Sequence, residues 1–159
     1  MNPSEVAALK LLLATRPVAA LATLHKGEPA VSMVPFAMLP SGARFVIHVS
    51  RLATHTHDML AHPAVALLVT ASLADAETPL ALPRVSIQGQ ARQCAPDSAE
   101  YAQARAAYLA KLPDAEELFA FSDFSLFIIE PDSARYVAGF GRALTLTAER
   151  LQAALGAQS

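Results

Sequence analysis

One short segment of the chain concentrates side chains that can hold an anion. Residues 50–56 read Ser-Arg-Leu-Ala-Thr-His-Thr, and the residues that follow have helical spacing. The first turn of a helix carries unpaired N–H groups and a partial positive charge, both of which attract anions. Hydroxyls, a guanidinium and an imidazole at that point would form charge-assisted hydrogen bonds to a phosphate. We therefore interpret this segment as the binding site for the phosphate of a flavin nucleotide.

A simpler interpretation of the same residues stays open. Ser50 or Thr54 could only cap the helix, because both residue types accept hydrogen bonds from the first N–H groups of a helix. The histidines would then be ordinary surface residues. Asp58, in the first turn, fits either interpretation, since it complements the helix dipole but would also repel a phosphate.

The segment is positioned by a strand before it and by a helix and a strand after it. Residues 45–50 alternate in the way that predicts a strand, and residues 53–61 have helical spacing that directs Met59 and Leu60 inward. Pro63 ends the helix, and residues 64–70 form a short apolar run typical of a buried strand.

The remaining chain continues this mainly β pattern. Short turns join neighbouring strands, which favours an antiparallel barrel with flanking helices over a doubly wound sheet. Pro35 predicts an edge or a bulge, and Gly89 predicts a bend. The predicted strands are 18–24, 29–38, 80–92, 124–129 and 134–140, with a tight turn at 131–133, and the predicted helices are 4–16 with Ser4 as cap, 97–111, 114–120 and 147–155.

Length and composition narrow the class of protein. The 159 residues suffice for a single domain spanning residues 1–159. Hydrophobic residues make up 53% and the net charge is −2, so we expect apolar surface buried between subunits and no nucleic-acid partner. No uninterrupted run of 18 apolar residues and no signal peptide pattern occurs. With one cysteine, Cys94, the sequence predicts no disulfide framework and a cytoplasmic location.

Other motifs in the sequence give weaker evidence for a functional site. The histidines at 55, 57 and 62 are too far apart along a helix to share one ion, so no metal site is predicted. Residues 139–142 lack the third glycine of a dinucleotide-binding loop. Arg142 could contact an anion or be a plain surface residue, and Arg84 has the residue type favoured for phosphate and carboxylate recognition.

Four segments together resemble the FMN-binding split barrels related to pyridoxamine 5′-phosphate oxidase, and within them the HugZ-type haem-utilisation branch. The resemblance covers residues 17–143. The segments that carry it are RPVAALATLHKGEPAVSMVPF (16–36), SRLATHTHDMLAHPAVALLV (50–69), PRVSIQGQA (83–91) and YVAGFGRA (136–143).

The resemblance implies a six- to seven-stranded antiparallel split barrel that forms a homodimer with FMN at the interface. It implies that Ser50, Arg51, His55 and Thr56 surround the FMN phosphate. Ser32, Met33 and Val34 would line the flavin ring, Arg84 would come from the partner subunit, and Arg142 is a further candidate. These cofactor-binding residues are Ser32, Met33, Val34, Ser50, Arg51, His55, Thr56, Arg84 and Arg142.

The function expected from this resemblance is an FMN-dependent oxidoreductase of unknown substrate, without a nameable catalytic acid or base. His55 stands where many of these oxidases carry lysine, and the C-terminal Trp and Arg pattern of true pyridoxamine phosphate oxidases is absent. The first alternative is a haem-binding or haem-utilisation protein on the same barrel, in a short form without the extra C-terminal domain. A barrel without a cofactor that acts as an interaction module is the other.

Overall fold

The fold is one antiparallel sheet that curls into a half-barrel, with helices packed on it. A computed structural model describes residues 1–40 and 42–156. The helices are α1 (Pro3–Thr15), α2 (Thr54–Ala61), α3 (Ala99–Lys111) and α4 (Ala148–Gly156), and the strands are β1 (Val18–His25), β2 (Glu28–Pro35), β3 (Ala37–Met38), β4 (Phe45–Ser50), β5 (Ala64–Thr70), β6 (Arg84–Gln93), β7 (Phe124–Gly139) and β8 (Arg142–Thr147). Short 3₁₀ segments cover Leu73–Asp75, Pro79–Ala81 and Pro113–Ala120.

The strand order is β2-β1-β5-β6-β7-β4-β3, and β8 pairs with β7. All the strand pairs in the described residues are antiparallel. The predicted class, mainly β with flanking helices and an antiparallel split barrel, is confirmed. As Pro35 suggested, β2 lies at one end of this order, where a missing backbone donor costs least.

Alternation along the strands separates a core from an outward surface. The inward side chains of Leu21, Ile47, Leu67, Ile87 and Phe127 are almost completely buried in one cluster. A second, smaller cluster lies behind β4, where α3 covers it with Ala104 and Tyr108. Because β4 lies between the two clusters, five of its six residues are buried.

Residues 124–139 differ most from the prediction. The two expected strands and the turn at 131–133 are one strand of 16 residues. Pro131 is paired with Gly89 beside an irregularity in the β6–β7 register, so the missing N–H of the proline falls where the ladder is already interrupted. Where a bend was expected at Gly89, β6 continues and its pairing with β7 shifts register between Gln88 and Gly89. Strand β8 was not predicted.

The first helix is capped differently from the prediction. Asn2, and not Ser4, caps α1, and its side-chain oxygen accepts a hydrogen bond from the N–H of Glu5 at 2.8 Å. The Glu5 carboxylate accepts one from the N–H of Asn2 at 3.0 Å and another from Nε of Arg142 at 2.6 Å. These contacts lower the pKa of Glu5 to about 2, the bond from Arg142 contributing most.

This pair predicts a measurable acid sensitivity. Because the pKa of Glu5 is lower in the folded chain than its ordinary value of 4.5, its contribution to stability is complete above pH 4.5 and disappears as the pH falls toward 2. In urea unfolding at pH 7 and pH 3, Glu5→Gln should lose less stability on acidification than the wild type. Glu149→Gln, at an exposed carboxylate on α4, is the control and should match the wild type. Equal acid losses in all three proteins would contradict the account.

Candidate functional site

The hydroxyl groups of the loop before α2 form hydrogen bonds to other residues of the same protomer. The Ser50 hydroxyl donates to the Asp123 carboxylate at 2.7 Å, and the Thr56 hydroxyl donates to the carbonyl oxygen of Ser50 at 2.6 Å. Thr56 is buried, and the N–H of Arg51 donates to the carbonyl oxygen of Asp123 at 2.7 Å. Two of the predicted phosphate ligands are therefore engaged internally, and a carboxylate at this corner repels a dianion.

The capping role that the simpler interpretation gave to this loop is wrong. The N-cap of α2 is Ala53, and neither Ser50 nor Thr54 makes a capping hydrogen bond. The helix also directs its residues differently from the prediction, because Met59 is buried while Leu60 is 55% exposed.

Helix α2 lies against the hairpin of β1 and β2 and brings titratable groups to it. Nδ1 of His55 lies 3.1 Å from the Ser32 hydroxyl oxygen. Burial lowers the pKa of His55, and the charge of Asp58 partly opposes that shift. The structure thus brings together two residues, one from β2 and one from α2, that the family resemblance had placed in the same site.

Asp58 lies at the centre of this region. It is buried, and its two carboxylate oxygens accept hydrogen bonds from the Thr23 hydroxyl at 3.0 Å and from Nδ1 of His25 at 2.7 Å. These contacts lower the pKa of Asp58, with the bond from His25 as the largest cause, so the carboxylate stays ionised at neutral pH. We call the set of Thr23, His25, Ser32, His55 and Asp58 the histidine corner.

Sequence reasoning missed His25, which falls between the predicted strands 18–24 and 29–38. The β1–β2 hairpin closes through Lys26 and Gly27, whose φ angles are +52° and +81°. Two consecutive positive φ angles are typical of the tight turn that joins antiparallel strands, and this turn leaves His25 paired with Glu28 at the strand end. The side chain is 46% exposed. The local signal was the Lys-Gly turn, but Asp58 is 33 residues away along the chain.

The other predicted residues are dispersed. Met33 is 62% exposed on the outward side of β2, while Val34 is buried in the core. Arg84 donates to the carbonyl oxygens of Leu82 and Leu80 at 2.9 and 3.4 Å. Arg142 is paired with Glu5, and no contact joins it or Arg84 to the histidine corner within the described protomer.

The outward side of three strands is apolar. Strand pairing places Ala20 of β1 opposite Met33 and Leu68, and Ala22 opposite Val31 and Ala66. We call this surface the outer face; its residues are Ala20, Ala22, Val31, Met33, Ala66 and Leu68. On the next strand, Ser86 and Gln88 continue the same surface as polar residues. A groove of about 360 Å³ lies where the two parts meet, lined by Ala22, Ala66 and Gln88 among others.

The described residues contain neither a metal-ion cluster nor a membrane-spanning helix. In residues 1–40 and 42–156, no group of three or more His, Cys, Asp or Glu side chains is arranged to hold a metal ion. Across the same residues, no helix is long and apolar enough to cross a membrane.

Comparisons with known proteins give three informative matches. The sequence profile of a family described as pyridoxamine 5′-phosphate oxidase matches residues 6–138. The chain is 40% identical over 119 residues to the non-canonical haem oxygenase HOZ of Arabidopsis thaliana chloroplasts, covering 75% of this chain and 35% of that protein. It is 26% identical over 133 residues to the haem oxygenase HutZ of Vibrio cholerae serotype O1, covering 82% and 74% respectively.

A solved structure agrees with these matches. The haem-binding protein of Mycobacterium smegmatis superposes with a TM-score of 0.84 at 32% identity, covering 96% of this chain and 62% of that one. The chain thus spans about a third of the plant protein and less than two thirds of the mycobacterial one.

These matches correct the cofactor prediction. All three relatives are named for haem and none for a flavin. The expectation of FMN is therefore wrong. The loop before α2 supplies a physical reason, because the hydroxyls of Ser50 and Thr56 are engaged within the protomer and Asp123 adds negative charge there.

Proposed function

This chain belongs to the pyridoxamine 5′-phosphate oxidase family, and we propose that on this barrel it binds haem and serves haem utilisation. The names of three relatives support the proposal, although their activities belong to those proteins. The observation that carries it in this chain is the histidine corner, where a buried carboxylate holds an imidazole. Imidazole is a common axial ligand of haem iron.

The residues present fit a haem better than a free metal ion. Haem brings four ring nitrogens to its iron, so the protein needs to add only one or two ligands. A free ion would need three or more side chains, an arrangement that the described residues do not contain. When bound, haem would supply an iron that exchanges electrons and binds small gases.

The outer face supports a homodimer. A contiguous apolar surface rimmed by polar residues marks an interaction site, and Val31 and Met33 are 74% and 62% exposed in a single protomer. The small side chains at Ala20, Ala22 and Ala66 would let a second sheet approach closely. A mean hydropathy of +0.34 agrees with apolar surface that a second copy covers.

Haem cleavage is the second candidate function. It is favoured by the two curated relatives, both of which are named haem oxygenases. With a reductant and dioxygen present, a cleaving protein would destroy the Soret absorbance of its haem and release a linear tetrapyrrole. A protein that only binds haem would keep its Soret absorbance under the same conditions.

Titration of purified protein with haemin tests the proposal. We expect a saturable Soret band with a dissociation constant below about 1 µM, which corresponds to a binding free energy of about −8 kcal/mol. Transfer of the bound haem to apomyoglobin would give the dissociation rate and exclude loose adsorption. Binding that never saturates would contradict the proposal.

A further inference from the structure

We propose that Nε2 of His25 is the axial ligand of the haem iron, and that Asp58 and Thr23 are the residues that position it. This inference rests on the proposed haem function and names the residue through which that function would act. It is carried by three observations: the hydrogen bond on Nδ1, the exposure of the ring, and the burial of the carboxylate behind it.

The hydrogen bond fixes which nitrogen of His25 can bind a metal. The ionised Asp58 carboxylate can only accept, so Nδ1 of His25 carries the proton and donates it at 2.7 Å. The lone pair is therefore on Nε2, for which the described residues offer no hydrogen-bond partner. The side chain is 46% exposed, so part of the ring faces solvent.

The carboxylate behind the imidazole is built into the fold. Asp58 is 6% exposed, which is costly for a charged group unless hydrogen bonds compensate. The compensation comes from His25 on one oxygen and from Thr23 on the other. A carboxylate that accepts from the far nitrogen of a ligating histidine orients the ring and strengthens its electron donation to the metal.

The other four histidines lack this combination. His48 is 5% exposed and is stacked on Phe119 with ring centroids 3.8 Å apart, so its ring is not accessible. His55 is half-buried, and its Nδ1 contacts a neutral hydroxyl. His57 and His62 are exposed, but within the part of the chain that the structure describes no hydrogen bond fixes either ring.

The first test removes the ligand and supplies it again. In the full chain loaded with haemin, His25→Gly should lower haem affinity at least tenfold and change the electron paramagnetic resonance and Soret signatures of the ferric iron. Added imidazole should restore the original signatures, because it fits the space that the side chain left. His57→Gly is the matched control and should keep the wild-type spectrum and affinity.

The second test distinguishes a positioning role of Asp58 and Thr23 from a role in folding alone. Asp58→Asn should raise the midpoint potential of the bound iron and lower the frequency of the iron–histidine stretching vibration. The reason is that a neutral amide replaces the negative carboxylate that accepts the hydrogen bond from His25. Thr23→Val, which exchanges the hydroxyl on Asp58 for a methyl group, should shift both quantities in the opposite direction, because a carboxylate that has lost one donor accepts more strongly from His25. A folded Thr23→Val protein with unchanged potential and vibration would overturn the positioning role, even where Asp58→Asn fails to fold.

The outcomes distinguish this inference from the proposed function. If the wild type binds haem and His25→Gly binds it equally well with the same spectrum, the ligand assignment is wrong while the haem function stands. If the wild type itself shows no saturable haem binding, both the proposed function and the ligand assignment are wrong.

Discussion

Replacing Val31 and Met33 together by aspartate is expected to convert the proposed homodimer into a monomer. Both side chains lie on the outer face and are 74% and 62% exposed in the protomer, so the substitutions should leave the fold of each chain intact. In an interface sheltered from water, unpaired carboxylates cost several kcal/mol. The dimer dissociation constant should therefore rise at least 100-fold, which corresponds to about 2.8 kcal/mol. Analytical ultracentrifugation at several concentrations measures it.

The matched control carries the same charges elsewhere. Leu73 and Leu80 are 72% and 67% exposed but lie in the segment between β5 and β6, away from the outer face. Leu73→Asp with Leu80→Asp should leave the dimer unchanged. A dimer that tolerates aspartate at both Val31 and Met33 would show that the outer face does not form the interface.

Gly89→Ala is expected to lower the free energy of unfolding by about 2 to 3 kcal/mol, a range typical of overpacking. A Cβ atom at this position would overlap the carbonyl oxygen of Glu130, which is backbone and cannot rotate away. The strand pair would have to separate locally beside the register irregularity. For a chain of this size the melting temperature should fall by roughly 4 to 12 °C, and differential scanning calorimetry measures both quantities.

Gly139→Ala is the control for this prediction. Gly139 also lies in β7, but the nearest atom to an added Cβ is the Ala81 carbonyl oxygen at 3.9 Å, an ordinary contact distance. Its melting temperature should stay within about 2 °C of the wild type. Equal melting temperatures for the two variants would mean that the close approach at Gly89 is not a constraint on the fold.

Local patterns were sufficient to predict most of the fold. Alternation and proline positions predicted the strands from 18 to 70, because those elements follow intrinsic preferences and short turns. The exception is the single strand expected at 29–38, which is β2 and β3 at opposite ends of the strand order. The prediction of a turn at 131–133 was wrong for a physical reason. Proline, aspartate and serine favour a turn locally, but pairing with β6 across a bulge makes the segment part of β7. Only long-range strand pairing decides that outcome.

The candidate site itself stays a prediction, although the proximity of two of its residues was anticipated. The family resemblance, and not a local pattern, placed His55 and Ser32 in one site, and the structure brings their side chains to 3.1 Å. The role of Ser50 could not be predicted because its partner, Asp123, is 73 residues away. Asp58 was read as a charge beside a helix end, whereas its partners on β1 are fixed by tertiary packing.

The most direct measurement is the identity of the small molecule that the wild-type chain carries when it is purified from cells supplied with a haem precursor. The protein would be denatured, and the released material quantified by absorbance and mass spectrometry. The account predicts haem, in an amount that scales with the protein. Release of another cofactor, or of no tetrapyrrole under conditions in which a known haem protein loads fully, would contradict it.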